Sequence, residues 1–411
     1  MKVNMFHLMP HRELPDDFEE KYHSVWIDPP WSELADPARV GQYYNWTLDE
    51  LEYAAEMGFD GVCVNEHHQN AYGFMPSPNI MASTLARNTK DAAIVVMGAT
   101  LPAANPPQRI AEEYAMIDVI SGGRLVAGMP LGSSPDINYA YGIPPIEQRE
   151  RYREAHDLIK QAWEREDVFA FNGKYTQLRY VNTWPKPIQK NPPIWVPGTG
   201  SKSTVDFVVK HGYCYCFLSY FGNKVAKKNV DKYWDRLDEL GEELNPYRLG
   251  FLQLVVVGET DAKAEEDYFK HIKYFYDKSL HIDPNFFLAP GHVDHASLVG
   301  ATRAGGYGAG MFDDRSDWTF KNYVDNQFVI GGSPDSVAQQ LEEAVRTLRV
   351  GNLMVLLQIG SMPHELTKKN IALFAEEVLP KVRPIWDAEG WENKWWPSGA
   401  RQATLPTVSA R

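Results

Sequence analysis

Apolar runs short enough for single strands alternate with amphipathic stretches along most of the chain, and that alternation sets the expected architecture. The runs predict strands over residues 2–8, 61–65, 92–101, 124–128, 193–196, 213–218, 249–257 and 352–358. Helices are expected near 78–87, from Asn105-Pro106 (a cap and a first-turn proline) to Ser121, near 147–163, 203–210, 225–240 and 261–276, and from His364 to about Val382. Thr47-Leu48-Asp49-Glu50 has the form of a capping box. It is expected to open a helix with Leu48, Leu51, Ala54 and Ala55 on one face, stopped by Gly58. Eight strands alternating with helices point to an α/β fold, a (β/α)8 TIM barrel. A doubly wound open sheet is the alternative, and nothing here looks like its glycine fingerprint.

Three stretches interrupt the rhythm. Residues 10–46 follow the first strand and are rich in Pro, acids and aromatics, among them Phe18, Tyr22, Trp26, Trp31, Tyr43 and Tyr44. Residues 169–191 read as a small hairpin turning at Asn172-Gly173. Residues 277–326, which carry GGYGAG, precede the last βα unit. Long irregular segments inside a compact domain are commonly walls and lids of a site. The first is therefore expected to wall the pocket and the third to act as a lid. The barrel is expected to occupy 1–384 and an aromatic tail 385–411, with Trp386, Trp391, Trp395 and Trp396 packing on a neighbouring subunit.

Composition narrows the function classes. The 411 residues are 44% hydrophobic and 23% charged, ordinary for a soluble globular protein with a sizeable core. A net charge of −13 argues against nucleic acid and anionic membrane partners. No apolar window is long enough to span a bilayer, and the start MKVNMFHLMPHRE has no signal-peptide pattern. Cys63, Cys214 and Cys216 read as small core residues rather than a disulfide framework, and a cytoplasmic location is expected.

The strongest chemical signal is GVCVNEHHQN at 61–70, where an apolar strand ends in Asn65-Glu66-His67-His68. Chemistry in a β/α barrel is placed at the C-terminal strand ends. Neighbouring strand residues face opposite ways, so His67 and His68 do not share a metal and one of them faces inward. The second signal is Pro197-Gly198-Thr199-Gly200-Ser201-Lys202-Ser203-Thr204, a small-residue helix entry suited to an anion. It is neither a Walker loop nor a dinucleotide fingerprint. The third is Met97-Gly98 at a strand end, where glycine allows a flat ligand to approach. His364-Glu365 lacks the second histidine of a zincin, His292 and His295 lack a third ligand nearby, and no GxSxG elbow is present, so neither a metal nor a serine nucleophile is expected.

Through GFDGVCVNEHH, LPAANPPQRIAEEYAMIDVISGGRLVAG, ERYREAHDLIKQAW, FNGKYTQL, PPIWVPGTGSKST, GGSPDSVAQQL and ELTKKNIALFAEEVLP, in that order, the chain resembles the bacterial luciferase-like family of flavin-dependent monooxygenases. The resemblance covers most of the barrel and implies non-covalent reduced FMN, O2 as co-substrate and a flavin reductase as partner. It implies insertion of one oxygen atom into a small, largely apolar organic substrate, by aldehyde oxidation, Baeyer–Villiger reaction or hydroxylation. It makes His67 the acid/base beside the flavin and the Met97–Gly98 peptide a non-prolyl cis bond under the ring. Gly198, Thr199, Gly200, Ser201, Ser203 and Thr204 become the phosphate site. Tyr22, Trp26 and Trp31 are candidates for the substrate wall, and a homo-oligomer is expected. One departure stands out: Met129–Ser134, after the fourth strand, lacks the family's phosphate-binding arginine, which leaves that role to backbone, hydroxyls and Lys202. A deazaflavin-dependent hydride-transfer enzyme and a catalytically silent flavin-binding subunit are the alternatives.

Overall fold

The computed structural model describes residues 1–132, 134–218, 220–283, 286, 299 and 314–401. GGYGAG, His292, His295 and most of the expected lid lie outside the described residues. The strands are β1 (Lys2–Phe6), β2 (Gly61–Val64), β3 (Ala93–Val96), β4 (Leu125–Gly128), β5 (Phe169–Asn172), β6 (Gln177–Val181), β7 (Ile194–Gly198), β8 (Cys214–Phe217), β9 (Leu249–Val257), β10 (Val329–Gly332) and β11 (Asn352–Leu356). Neighbours in the main sheet run β9-β11-β1-β2-β3-β4-β7-β8, all parallel, and β8 returns to β9. This is a closed eight-stranded (β/α)8 barrel, as the apolar rhythm predicted.

One strand was not anticipated. β10 pairs with the second half of β9, Val329 opposite Leu254 through Gly332 opposite Val257, beyond the part of β9 that meets β8. Its four residues run straight into the Ser333-Pro334 helix start, too short a run to stand out from that helix in the sequence. β5 and β6 form the expected hairpin.

The capping-box expectation is overturned. Thr47–Glu50 lies in the middle of a helix that spans Pro37–Glu56, whose N-cap is Asp36 accepting from the N–H groups of Ala38 and Arg39. Pro37 at the first helical position favours that earlier start. The second half of the insertion is thus helical, and Thr47 and Glu50 are buried in it.

Inside the barrel Phe6, Cys63, Val95, Val126, Trp195, Cys214, Cys216, Leu252 and Met354 pack into one apolar body. Burial pushes the Cys63 and Cys216 thiols well up, the behaviour of inert core residues. Leu14, Phe18, Tyr22, Val25 and Trp26 of the insertion join that body together with Tyr72, Phe275 and Tyr276.

The aromatic tail, as far as Arg401, packs on its own barrel. The indole N–H of Trp195 donates to the carbonyl of Trp395 at 3.0 Å, and that of Trp395 to the carbonyl of Gly212 at 2.8 Å. Asn245 reaches the carbonyl of Glu392, and Gly399 reaches that of Gly123. Gly212 and Asn245 precede β8 and β9, and Gly123 precedes β4, so the tail crosses the N-terminal end of the barrel.

Candidate active site

Glu66, His67 and His68 leave the C-terminal end of β2, and the structure gives them separate tasks. His68 has both ring nitrogens engaged, Nε2 with Glu66 Oε1 at 2.8 Å and Nδ1 with the Tyr141 hydroxyl at 2.9 Å. The other Glu66 oxygen accepts from the backbone N–H of Thr100, past the end of β3. Glu66 and His68 therefore lock the loops after β2 and β3 together. His67 uses only Nδ1, 3.0 Å from Asp136 Oδ2, and its Nε2 has no partner among the described residues. Its side chain keeps 16% of its surface exposed, whereas that of Asp136 has none. Of the two histidines, His67 is the one free to exchange a proton.

The ring of His67 is also held sterically. Tyr72 meets it edge-on at 4.5 Å between centroids. A Cβ at Gly73 would lie 3.2 Å from the His67 Cβ and 3.1 Å from the Leu8 carbonyl, so the glycine backbone packs closely against this side chain. Trp26 packs edge-on against Tyr72 at 5.6 Å, and the Tyr72 hydroxyl meets that of Tyr220 at 3.1 Å. Trp26 thus stands behind the wall beside His67. Tyr22 is buried with its hydroxyl on Glu33, and Trp31 is 53% exposed, away from that cluster.

The Met97–Gly98 peptide does not carry the expected cis bond. The cis bonds among the described residues are Asn105–Pro106 and Trp184–Pro185. The tight turn is made one residue later, by a left-handed φ of 58° at Ala99. Gly98 is needed for packing: a Cβ there would fall 2.7 Å from Pro78 Cγ and 2.8 Å from Glu66 Cβ.

The Gly198–Thr204 segment carries β7 into the helix Lys202–His211. Gly200 has φ of 99°, and its N–H donates to the Tyr215 hydroxyl at 2.8 Å. The hydroxyls of Ser201 and Thr204 are 2.8 Å apart at the start of the helix Lys202–His211. Ser203 Oγ is buried with no hydrogen-bond partner among the described residues. Arg149 and Arg153, one turn apart on the helix Gln148–Glu164, line the same cleft as Leu131, Tyr152, Ser203 and Thr204. These two arginines were not foreseen, and they stand in the wall of that cleft. Lys202 does not serve there: its ammonium is paired with Asp206 on the exposed side of its own helix. An orphaned hydroxyl, a helix N-terminus and two arginines in the cleft wall are compatible in donor type with the phosphate of a flavin mononucleotide.

The luciferase-like monooxygenase family model matches residues 31–350. This chain belongs to that family. Among relatives of the luciferase-like chain, limonene 1,2-monooxygenase of Rhodococcus erythropolis is 25% identical over 283 residues, 67% of this chain and 71% of that protein. The oxygenase component of the flavin-dependent trigonelline monooxygenase of Acinetobacter baylyi is 28% identical over 183 residues, 44% and 49% of the two chains. The oxygenating constituent of 3,6-diketocamphane monooxygenase from Pseudomonas putida, a type II Baeyer–Villiger enzyme solved with FMN, shares the fold. Its TM-score is 0.69 at 19% identity, covering 93% of this chain and 98% of that one. An F420-dependent secondary alcohol dehydrogenase shares it too, at a TM-score of 0.62 and 14% identity over 93% and 99%. The luciferase-like chain is therefore a member of a flavin-dependent monooxygenase family whose fold also serves other cofactors. No helix among the described residues is long and apolar enough to cross a membrane. Nor do the described residues hold a cluster of three or more His, Cys, Asp or Glu placed to bind a metal.

Proposed function

We propose that this luciferase-like monooxygenase holds reduced FMN non-covalently and uses O2 to place one oxygen atom in a small, largely apolar organic substrate. Aldehyde oxidation, Baeyer–Villiger insertion and hydroxylation are the reactions in view. The observation that carries the reading is a pairing at one barrel mouth: an imidazole with one nitrogen unpartnered among the described residues, and a helix-entry cleft whose wall holds two arginines. Reduced FMN, when bound, supplies the electrons that activate O2.

The chain's own residues do the rest. Ser203, Thr204, Arg149 and Arg153 hold the phosphate, with Gly198, Thr199, Gly200 and Ser201 shaping the loop around it. Met97 and Gly98 floor the site. Trp26 and Tyr72, with Tyr22 behind, exclude water from the reacting centre. His67 takes and returns a proton at Nε2. A flavin reductase supplies the reduced cofactor. Ile80, Met116, Val119 and Ile120, exposed on the adjacent helices Pro78–Asn88 and Gln108–Ser121, support a homo-oligomer. The buried free thiols suit a cytoplasmic enzyme.

Oxygen uptake with NADH, FMN and a flavin reductase, across aldehydes, ketones and aromatic compounds, tests the reading. Substrate-dependent uptake is expected, with His67→Ala at least about 100-fold slower. Turnover without oxygen on a deazaflavin, with no response to reduced FMN, would overturn it.

A further inference from the structure

Asp136 sits in the short helix Pro135–Asn138 after β4, far in sequence from the Glu66-His67-His68 run and outside any motif. Its Oδ2 accepts from two donors, the backbone N–H of His68 and Asn70 Nδ2, and meets His67 Nδ1, each at 3.0 Å. An oxygen that already accepts from two N–H groups carries no proton to give to a third nitrogen. The proton between Asp136 and His67 therefore belongs to the imidazole. In the neutral ring that places hydrogen on Nδ1 and leaves the lone pair on Nε2, the nitrogen without a partner.

We infer that Asp136 is the positioning residue of the site: it fixes His67 in the Nδ1–H tautomer, turns Nε2 toward the substrate and steadies the imidazolium formed when Nε2 accepts a proton. This rests on the acid/base role given to His67 above. The proton balance is simple. Nε2 takes one proton from the substrate or bound nucleophile, the positive ring is held against the Asp136 carboxylate, and the proton leaves later by the same nitrogen.

Burial works to raise the Asp136 pKa, but the charge of His67 and the hydrogen bonds outweigh it, and the carboxyl is held below its ordinary value. The surrounding titratable groups do not compete for His67. Glu66 is occupied by His68 and the Thr100 N–H, Tyr141 by His68, and the Tyr72 phenol is pushed well up by burial. The clamp of Tyr72 and Gly73 leaves the ring little room to flip.

Two measurements test the inference. In full-length wild-type protein carrying ¹⁵N-histidine, assigned with His67→Asn, the His67 nitrogens report the tautomer without any turnover. Nδ1–H is expected, and an Nε2–H ring would overturn the proposal. Asp136→Asn keeps the shape and removes the charge. The ¹⁵N spectrum of that variant should lose the fixed Nδ1–H signature, and kcat should fall about tenfold or more while KM holds. An unchanged tautomer and kcat, with only a lower melting temperature, would reduce Asp136 to a structural strut and sink the idea. Full turnover in His67→Ala would instead remove the proton role of His67, a different failure. Should Asp136→Asn not fold, the wild-type spectrum still decides.

Discussion

Replacing Glu50 by Gln removes one charge from a site with almost no solvent. Glu50 is fully buried on the helix Pro37–Glu56, and its carboxylate holds three partners. His7 Nε2 lies 2.7 Å away, Arg12 contacts both oxygens at 3.1–3.2 Å, and His364 Nδ1 is at 2.9 Å. His7 just follows β1 and His364 opens the helix after β11, so one carboxylate ties the insertion to the seam between those strands. His7 Nδ1 accepts the Met9 N–H, which leaves Nε2–H to donate to Glu50 from a ring that burial keeps neutral. Burial alone would raise the Glu50 pKa. Arg12, His364 and His7 overcome that and hold it at about 2, against an ordinary 4.5.

A depression of that size is roughly 3 kcal/mol of stability at neutral pH. It is fully present above the unfolded-state pKa and is lost as pH falls from there through the folded value. In Glu50→Gln the nearly buried Arg12 guanidinium loses its counter-ion, and breaking a buried pair in this way typically costs about 3–5 kcal/mol. Urea unfolding of both proteins should show a gap of that order near neutral pH. By about pH 3.5 the gap should have narrowed by roughly 1 kcal/mol, because only the wild type has a carboxylate to lose. A gap below about 1 kcal/mol, or one that ignores pH over that range, would refute the reasoning.

Trp395→Ala should lower stability by about 3–5 kcal/mol in urea, since it empties a buried site and loses the indole bond to Gly212; near-wild-type unfolding would show that the tail merely rests on the barrel. Gly98→Ala should cost about 1–3 kcal/mol and lower the melting temperature, because the new methyl meets Pro78, Glu66 and the Asn65 backbone at 3.0 Å or less. An unchanged melting curve would mean those neighbours yield freely.

The barrel was legible because most of its strands are buried on both faces. β9 is buried along its whole length, and its apolar run matches Leu249–Val257 at both ends. The Glu66-His67-His68 run was legible as a strand end meeting polar groups. What decides between the two histidines was not, because Asp136 and Tyr141 come from the segment after β4, some 70 residues later, and no local period marks them. Arg149 and Arg153 left a faint signal, two cations one helical turn apart beside Tyr152, but the stretch carries Arg151 as well and reads as a solvated face. The capping box failed for a related reason. Thr47 to Glu50 has the right letters, yet Asp36-Pro37 upstream offers a better start, and Glu50 is recruited by residues distant in sequence. The cis-bond expectation came from resemblance alone, and here the turn is made at Ala99.

The join between β1 and β11 pairs Lys2 with Asn352 and Phe6 with Leu356, so the two edges that must meet are separated by most of the polypeptide. During synthesis on a ribosome, β1 waits with one flank unsatisfied until β11 has emerged, and ring closure comes late. Contacts of such long sequence separation make assembly slow and leave apolar edges open to the wrong neighbour. Heterologous expression should therefore respond more to lower temperature and chaperone supply than to anything done at the catalytic mouth.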